Sequence, residues 1–192
     1  MNRGFTLIEL VVVIAVVAVL AAVALPRFAS LQRDARVGHL TSVRGAVAAA
    51  STLARAKVLT RNGQPDSSPC AGGGSADNRP SGAGTLCTEN GLIALWNGYP
   101  ATLAILPTTL PPTWSADGAE PPGIVSAAGL GTVFRPTLAE LRSEGYAVSV
   151  SGPTTSIARA DARQPALCSF SYTQAAAAGS AATISSLQTA GC

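Results

Sequence analysis

From Phe5 to Leu25 the chain is apolar without a lasting break, and about 21 residues carry one charge, Glu9. At about 1.5 Å per residue a helix of that length spans about 31 Å, close to the hydrocarbon thickness of a bilayer. The pattern predicts a transmembrane helix. An ordinary secretory signal peptide is a second reading, with Arg3 as its basic start and Ala22-Val23-Ala24 as its cleavage site. A glutamate inside the apolar run argues against that, as does the run's length. A buried soluble helix is a third, and such helices rarely lack a polar face for about six turns.

Beyond the span the helical pattern continues. Arg27 to about Thr60 contains no proline and is dominated by Ala, Leu, Val, Arg and Gln, all compatible with helix. Leu40, Val43, Val47, Ala50, Ala54 and Val58 recur at three and four residues, a stripe suited to packing on a sheet. Phe28, Leu31 and Ala35 fall in a different phase, and Gly38 lies near the change. The first half is therefore expected to face neighbours in an assembly and the second half its own domain. Pro26 lies inside the combined helix, where it removes a hydrogen bond and is expected to kink or loosen it.

From Arg61 to Gly84 the chain is rich in Gly, Pro, Ser, Asn and Asp, which predicts a long loop. Leu92–Trp96 and Leu103–Leu106 read as short helical or strand pieces beside the turn Asn97-Gly98-Tyr99-Pro100. Thr137–Ser143 reads as a short helix with Thr137 as N-cap and Glu140 completing a capping box. Tyr146–Val150, Ser156–Ala160, Ala166–Tyr172 and Ala181–Ser185 read as strands linked by turns. The expected fold class is α+β, a long N-terminal helix packed on a small antiparallel sheet domain.

Composition adds that the core is lean: aromatics are 5% and charged residues 12%. Such a core leans on cross-links or neighbouring subunits. The net charge of +3 is too small to imply nucleic acid, and no direct nucleic-acid site is evident. Four cysteines, Cys70, Cys87, Cys168 and Cys192, allow three pairings. The sequential pairing closes two modest loops, each worth about 3 kcal/mol in the chain-entropy model. No C-x-x-C pair accompanies the one histidine, His39, so neither a zinc site nor a thiol catalyst is expected. His39 reads as a solvated or interface side chain. The acids form no acid/base or EF-hand motif, and Gly72-Gly73-Gly74 lacks the lysine of a phosphate loop. Trp96, Tyr99 and Trp114 read as core or turn packing. No catalytic residue, metal or cofactor is expected, and the chain is not expected to be an enzyme.

Orientation is contested within the sequence. Arg27, Arg33 and Arg36 follow the span, and positive-inside counting would leave the C-terminal part in the cytoplasm. The cysteines favour the opposite side, because disulfides persist outside the cytoplasm.

The stretch Gly4-Phe5-Thr6-Leu7-Ile8-Glu9-Leu10 resembles the N-terminus of type IV pilin and pseudopilin precursors, and Pro26 has its counterpart in that family. The family's helix-breaking glycine is absent, Ala18 standing at the matching position. Asn97-Gly98-Tyr99-Pro100 and Cys168-Ser169-Phe170-Ser171-Tyr172 are similar to the mannose-sensitive haemagglutinin pilin subgroup. The resemblance implies the type IV pilin fold, with residues 1–4 a leader, 5–25 a transmembrane and filament-core helix, 26–60 its continuation on the domain, and 61–192 a disulfide-stapled pilin domain. It implies cleavage between Gly4 and Phe5 by a prepilin peptidase, N-methylation of Phe5, and a disulfide enclosing a C-terminal loop. It also implies partners: the inner-membrane pilus assembly machinery, the membrane before assembly, and further copies of the chain in a homo-oligomeric filament. Localisation would be a single pass in the bacterial inner membrane, then the extracellular pilus. Such filaments serve adhesion, motility or DNA uptake.

Glu9 then has two candidate partners. Its carboxylate and a freed Phe5 ammonium lie four residues apart, on one helix face. Pairing instead with the ammonium of a neighbouring subunit would set the stagger between subunits. Two charges about 4 Å apart gain roughly 4 kcal/mol at an effective dielectric near 20. A pseudopilin of a type II secretion system, a minor pilin, and a membrane-anchored binding module that never polymerises are the alternatives to a pilus subunit.

Overall fold

The computed structural model describes residues 6–102 and 122–192, and within the first helix only the backbone of Pro26 and Ala29. The predicted piece Leu103–Leu106 and Trp114 lie outside the described residues.

Helix α1 runs from Leu7 to Arg61, 55 residues, and passes through position 26 as continuous helix. Thr6 caps its start, its hydroxyl accepting from the Glu9 amide at 3.3 Å, which satisfies one of the otherwise unpaired first-turn donors. Asn62 ends it in the left-handed conformation, φ 48°, with its amide bonded to Val58 O, the usual way to stop a helix with Asn or Gly.

Two antiparallel meanders lie on the second half of α1. The first has the order β1 (Ala83–Cys87), β2 (Leu92–Trp96), β3 (Tyr99–Pro100). The second has the order β4 (Tyr146–Ser151), β5 (Thr154–Arg159), β6 (Ser169–Thr173), β7 (Thr183–Ile184). Leu92–Trp96, which the sequence left between helix and strand, is a strand. Ala166–Tyr172 is divided, because Pro165–Leu167 forms a 3-10 turn before β6. Two short helices, α2 (Ile124–Ala127) and α3 (Leu138–Ser143), precede the second meander. In α3 the capping box forms as the sequence predicts, with Thr137 Oγ1 accepting from the Glu140 amide and the Glu140 carboxylate from the Thr137 amide.

The core forms where the helical stripe meets the sheets. Leu40, Val43 and Val47 pack with Ile124, Val125, Leu141, Ile157, Phe170 and Tyr172. Ala54 and Val58 pack with Leu86, Ile93 and Leu95. The disulfide Cys168–Cys192 is part of the first cluster, and Cys70–Cys87 ties the loop before β1 to its end, with Cα separations of 4.8 and 5.3 Å respectively.

The Asn97-Gly98 turn joins the meanders. Both residues have positive φ, 52° and 78°, which a two-residue hairpin turn demands. Asn97 is buried, and its Nδ2 donates to Ala175 O at 3.0 Å while its Oδ1 accepts from the Gly82 amide at 2.9 Å. Tyr172, on β6, donates to Pro100 O at 2.6 Å. The two short motifs, whose contacting residues Pro100 and Tyr172 are 72 positions apart in the sequence, are thus in direct contact.

Candidate functional site

The first half of α1 lies outside the core. Leu7 is 82% exposed, and Val11, Ile14, Val17, Leu20, Leu25, Phe28 and Leu31 are all exposed. Ala18 shares this, so the segment is apolar on every side. A helix with no polar face has no stable place in water and requires lipid or other apolar helices. By length and composition α1 is the one helix among the described residues suited to crossing a membrane, and its most apolar window has no buried part.

Within the stretch from Leu7 to Leu25 stands one acidic side chain. Glu9 lies in the first turn of α1, exposed, beside the amides that the helix start leaves unpaired. There a carboxylate gains from the helix dipole. Among the described residues no cation reaches it. Gly4 and Phe5, the residues expected at the cleavage point, lie outside the described residues. Thr6 is the member of this site that the sequence reading missed. Its signal was legible, since Thr6-Leu7-Ile8-Glu9 has the T-x-x-E spacing of a capping box.

The change of helix phase falls at Arg36–Leu40. Ala35 and Gly38 are exposed, Val37 is half-buried and Leu40 is the first fully buried side chain. Space around Gly38 is open. Past this point the cations of α1 hold the domain rather than solvent. Arg36 Nε pairs with Asp161 at 3.1 Å and its Nη1 donates to Cys192 O at 2.9 Å. Arg44 donates to Ser185 O at 2.8 Å. Arg55 reaches Pro80 O and Asn97 O and stacks over the Tyr99 ring, 5.2 Å from its centre. Lys57 donates to Cys87 O at 2.7 Å. Of the three cations that left the orientation contested, Arg36 is bound to the domain in this way, Arg33 reaches Thr189 O at 3.5 Å, and Arg27 reaches no partner among the described residues.

Arg36, Asp161 and Arg159 form a chain of ion pairs, Arg159 meeting Asp161 at 2.8 Å. Burial alone would raise the Asp161 pKa, but the hydrogen bonds from Arg159 and Arg36 outweigh it and hold the carboxyl below its ordinary range. His39 lies beside this chain, its ring 5.4 Å from that of Tyr146. Its Nε2 is buried without a hydrogen-bond partner, and desolvation, with Arg159 nearby, lowers its pKa. This is a packed interface histidine. Among the described residues no group of three His, Cys, Asp or Glu side chains converges as metal ligands would. Trp96 and Tyr99 are paired across β2 and β3 and are half-buried.

The α+β domain thus carries, ahead of its packed stripe, an exposed apolar helical segment long enough to cross a membrane, with one carboxylate near its start. Residues 1–25 match the family model described as the prokaryotic N-terminal methylation motif, which marks the segment as the start of a type IV pilin-like prepilin. No curated protein and no solved structure matches the chain.

Proposed function

We propose that the chain is the structural subunit of a type IV pilus, cleaved between Gly4 and Phe5, methylated on Phe5, and assembled into a surface filament through the first half of α1. The observation that carries this is the exposed surface from Leu7 to Leu31 with Glu9 as its only acid. A subunit parked in lipid and later packed among copies of itself keeps that surface out of water in both states. Glu9 meets the Phe5 ammonium of the neighbouring copy, because an unpaired ion among apolar helices is costly. Pro26, with no amide proton to give, leaves a carbonyl free one turn earlier and makes that stretch the weakest part of the helix. The disulfide-stapled domain faces outward, where bridges survive.

Mass spectrometry of the N-terminal peptide from sheared surface material tests this. Expected is a peptide beginning at N-methylated Phe5, abundant in filaments. A peptide beginning at Leu25 would mean an ordinary signal peptide. A processed chain found only in membranes and never in sheared filaments would point to a pseudopilin.

A further inference from the structure

The charged side chains that α1 carries after Leu25 divide into two groups. Arg33, Arg36, Arg44, Arg55, Lys57 and Arg61 each reach an acceptor on the loops and strands of the same chain, namely Thr189 O, Asp161 and Cys192 O, Ser185 O, Pro80 O and Asn97 O, Cys87 O, and Asp66. Arg27 and Asp34 are exposed, and their side chains reach none among the described residues. They have opposite charge. No acid lies three or four residues from Arg27 and no base three or four from Asp34, so neither has a partner along its own helix face.

At 3.6 residues per turn, seven residues make about two turns, so Arg27 and Asp34 share one face, about 10.5 Å apart along the axis. That face is opposite Leu40, Val43 and Val47, which are buried against the domain. Exposed apolar neighbours, Leu31 and Phe28, lie along one side of it. Whatever covers the apolar surface of α1 must therefore cover this pair as well, and removing two charges from water unpaired costs several kcal/mol per ion in general.

We propose that Arg27 of one copy pairs with Asp34 of a parallel neighbouring copy, fixing the axial offset between adjacent α1 helices. This rests on the filament reading above. Raising one copy by about 10.5 Å brings its Arg27 level with Asp34 of the next. Raising the same copy by about 6 Å, four residues, brings its Phe5 ammonium to Glu9 of that neighbour. Both pairings demand a shift in the same sense, and the reach of an arginine side chain spans the difference. Glu9 and the Arg27–Asp34 pair then act as two ends of one register, the second lying just outside the bilayer span.

The test is charge reversal in the full chain, with Arg27→Asp and Asp34→Arg made singly and together, and filament yield normalised to processed subunit in the membrane. That normalisation separates failure to fold from failure to assemble. Each single reversal places like charges together and is expected to lower the normalised yield about tenfold or more. The double variant restores the pair and is expected to return within about twofold of wild type. Single variants that assemble like wild type, or a double variant no better than the singles, overturn the pairing. If the singles assemble normally while Glu9→Ala does not, the pairing fails and the filament reading stands. If the wild-type chain forms no filament, both fail.

Discussion

A carboxylate in the first turn of an apolar helix is unusual because the surroundings offer nothing to pay for its desolvation. At Glu9 the helix start supplies part of the compensation through its unpaired amides and dipole. Glu9→Ala should therefore insert into membranes as well as wild type, since removing a charge favours lipid. It should fail to yield sheared filaments, and wild-type yield would defeat the intersubunit role. Tyr172 tests the contact between the meanders. Tyr172→Phe leaves Pro100 O without its donor, and a loss of about 1–2 kcal/mol is expected in denaturant unfolding. Asp161 and His39 both contribute to the acid limit. Asp161 has a depressed pKa, so its contribution is present above its ordinary value of 3.8 and is lost as pH falls through the lower folded value. His39 is also depressed, from 6.5, and favours the neutral folded ring, so its contribution is present above 6.5 and declines as pH falls below that. Stability should therefore fall in two steps on acidification. His39→Phe should remove the step below about pH 6.5, and Asp161→Asn should reduce the more acidic one, to which Glu140, held below its ordinary value by hydrogen bonds with Thr137, also contributes; both are read from unfolding midpoints against pH.

At the level of elements, α1 is one helix with two solvents. Leu40 and Leu31 are the same residue type nine positions apart, yet the first is fully buried and the second 61% exposed. Leu40→Ala should cost about 2–5 kcal/mol of domain stability, whereas Leu31→Ala should stay within about 0.5 kcal/mol. Filament yield, normalised to folded subunit, should show the reverse order; equal effects of the two substitutions on domain stability would contradict the division. The stripe from Leu40 to Val58 was legible in the sequence because helical periodicity is a local signal. The α3 capping box was legible for the same reason. The strand boundaries were less so. The 3-10 turn at Pro165 interrupts a run that reads as one strand, and β7 ends at Ile184 because at Ser185 the Ser171 amide bonds the hydroxyl while the Ser185 carbonyl accepts from Arg44.

For the whole molecule the C-terminal segment acts as a strap. It is tied by Cys168–Cys192, by Arg44 to Ser185 O and by Arg36 to Cys192 O. Replacing both Cys168 and Cys192 with serine should cost about 3 kcal/mol and should raise amide exchange across residues 185–192. Unchanged protection there would show that the arginines hold the strap alone. The sequence by itself determined the apolar N-terminal helix, the charge at Glu9, the change of phase near Gly38 and the α+β class, since each depends on residue types within a few turns of one another. It also held, unread, the cap at Thr6. Only the tertiary structure decided that the meanders meet through Asn97 and Tyr172, which cations of α1 are occupied, and that Arg27 and Asp34 have no partner among the described residues. Those facts depend on which distant carbonyls and carboxylates the folded chain brings within hydrogen-bond reach, and no local pattern records such distances.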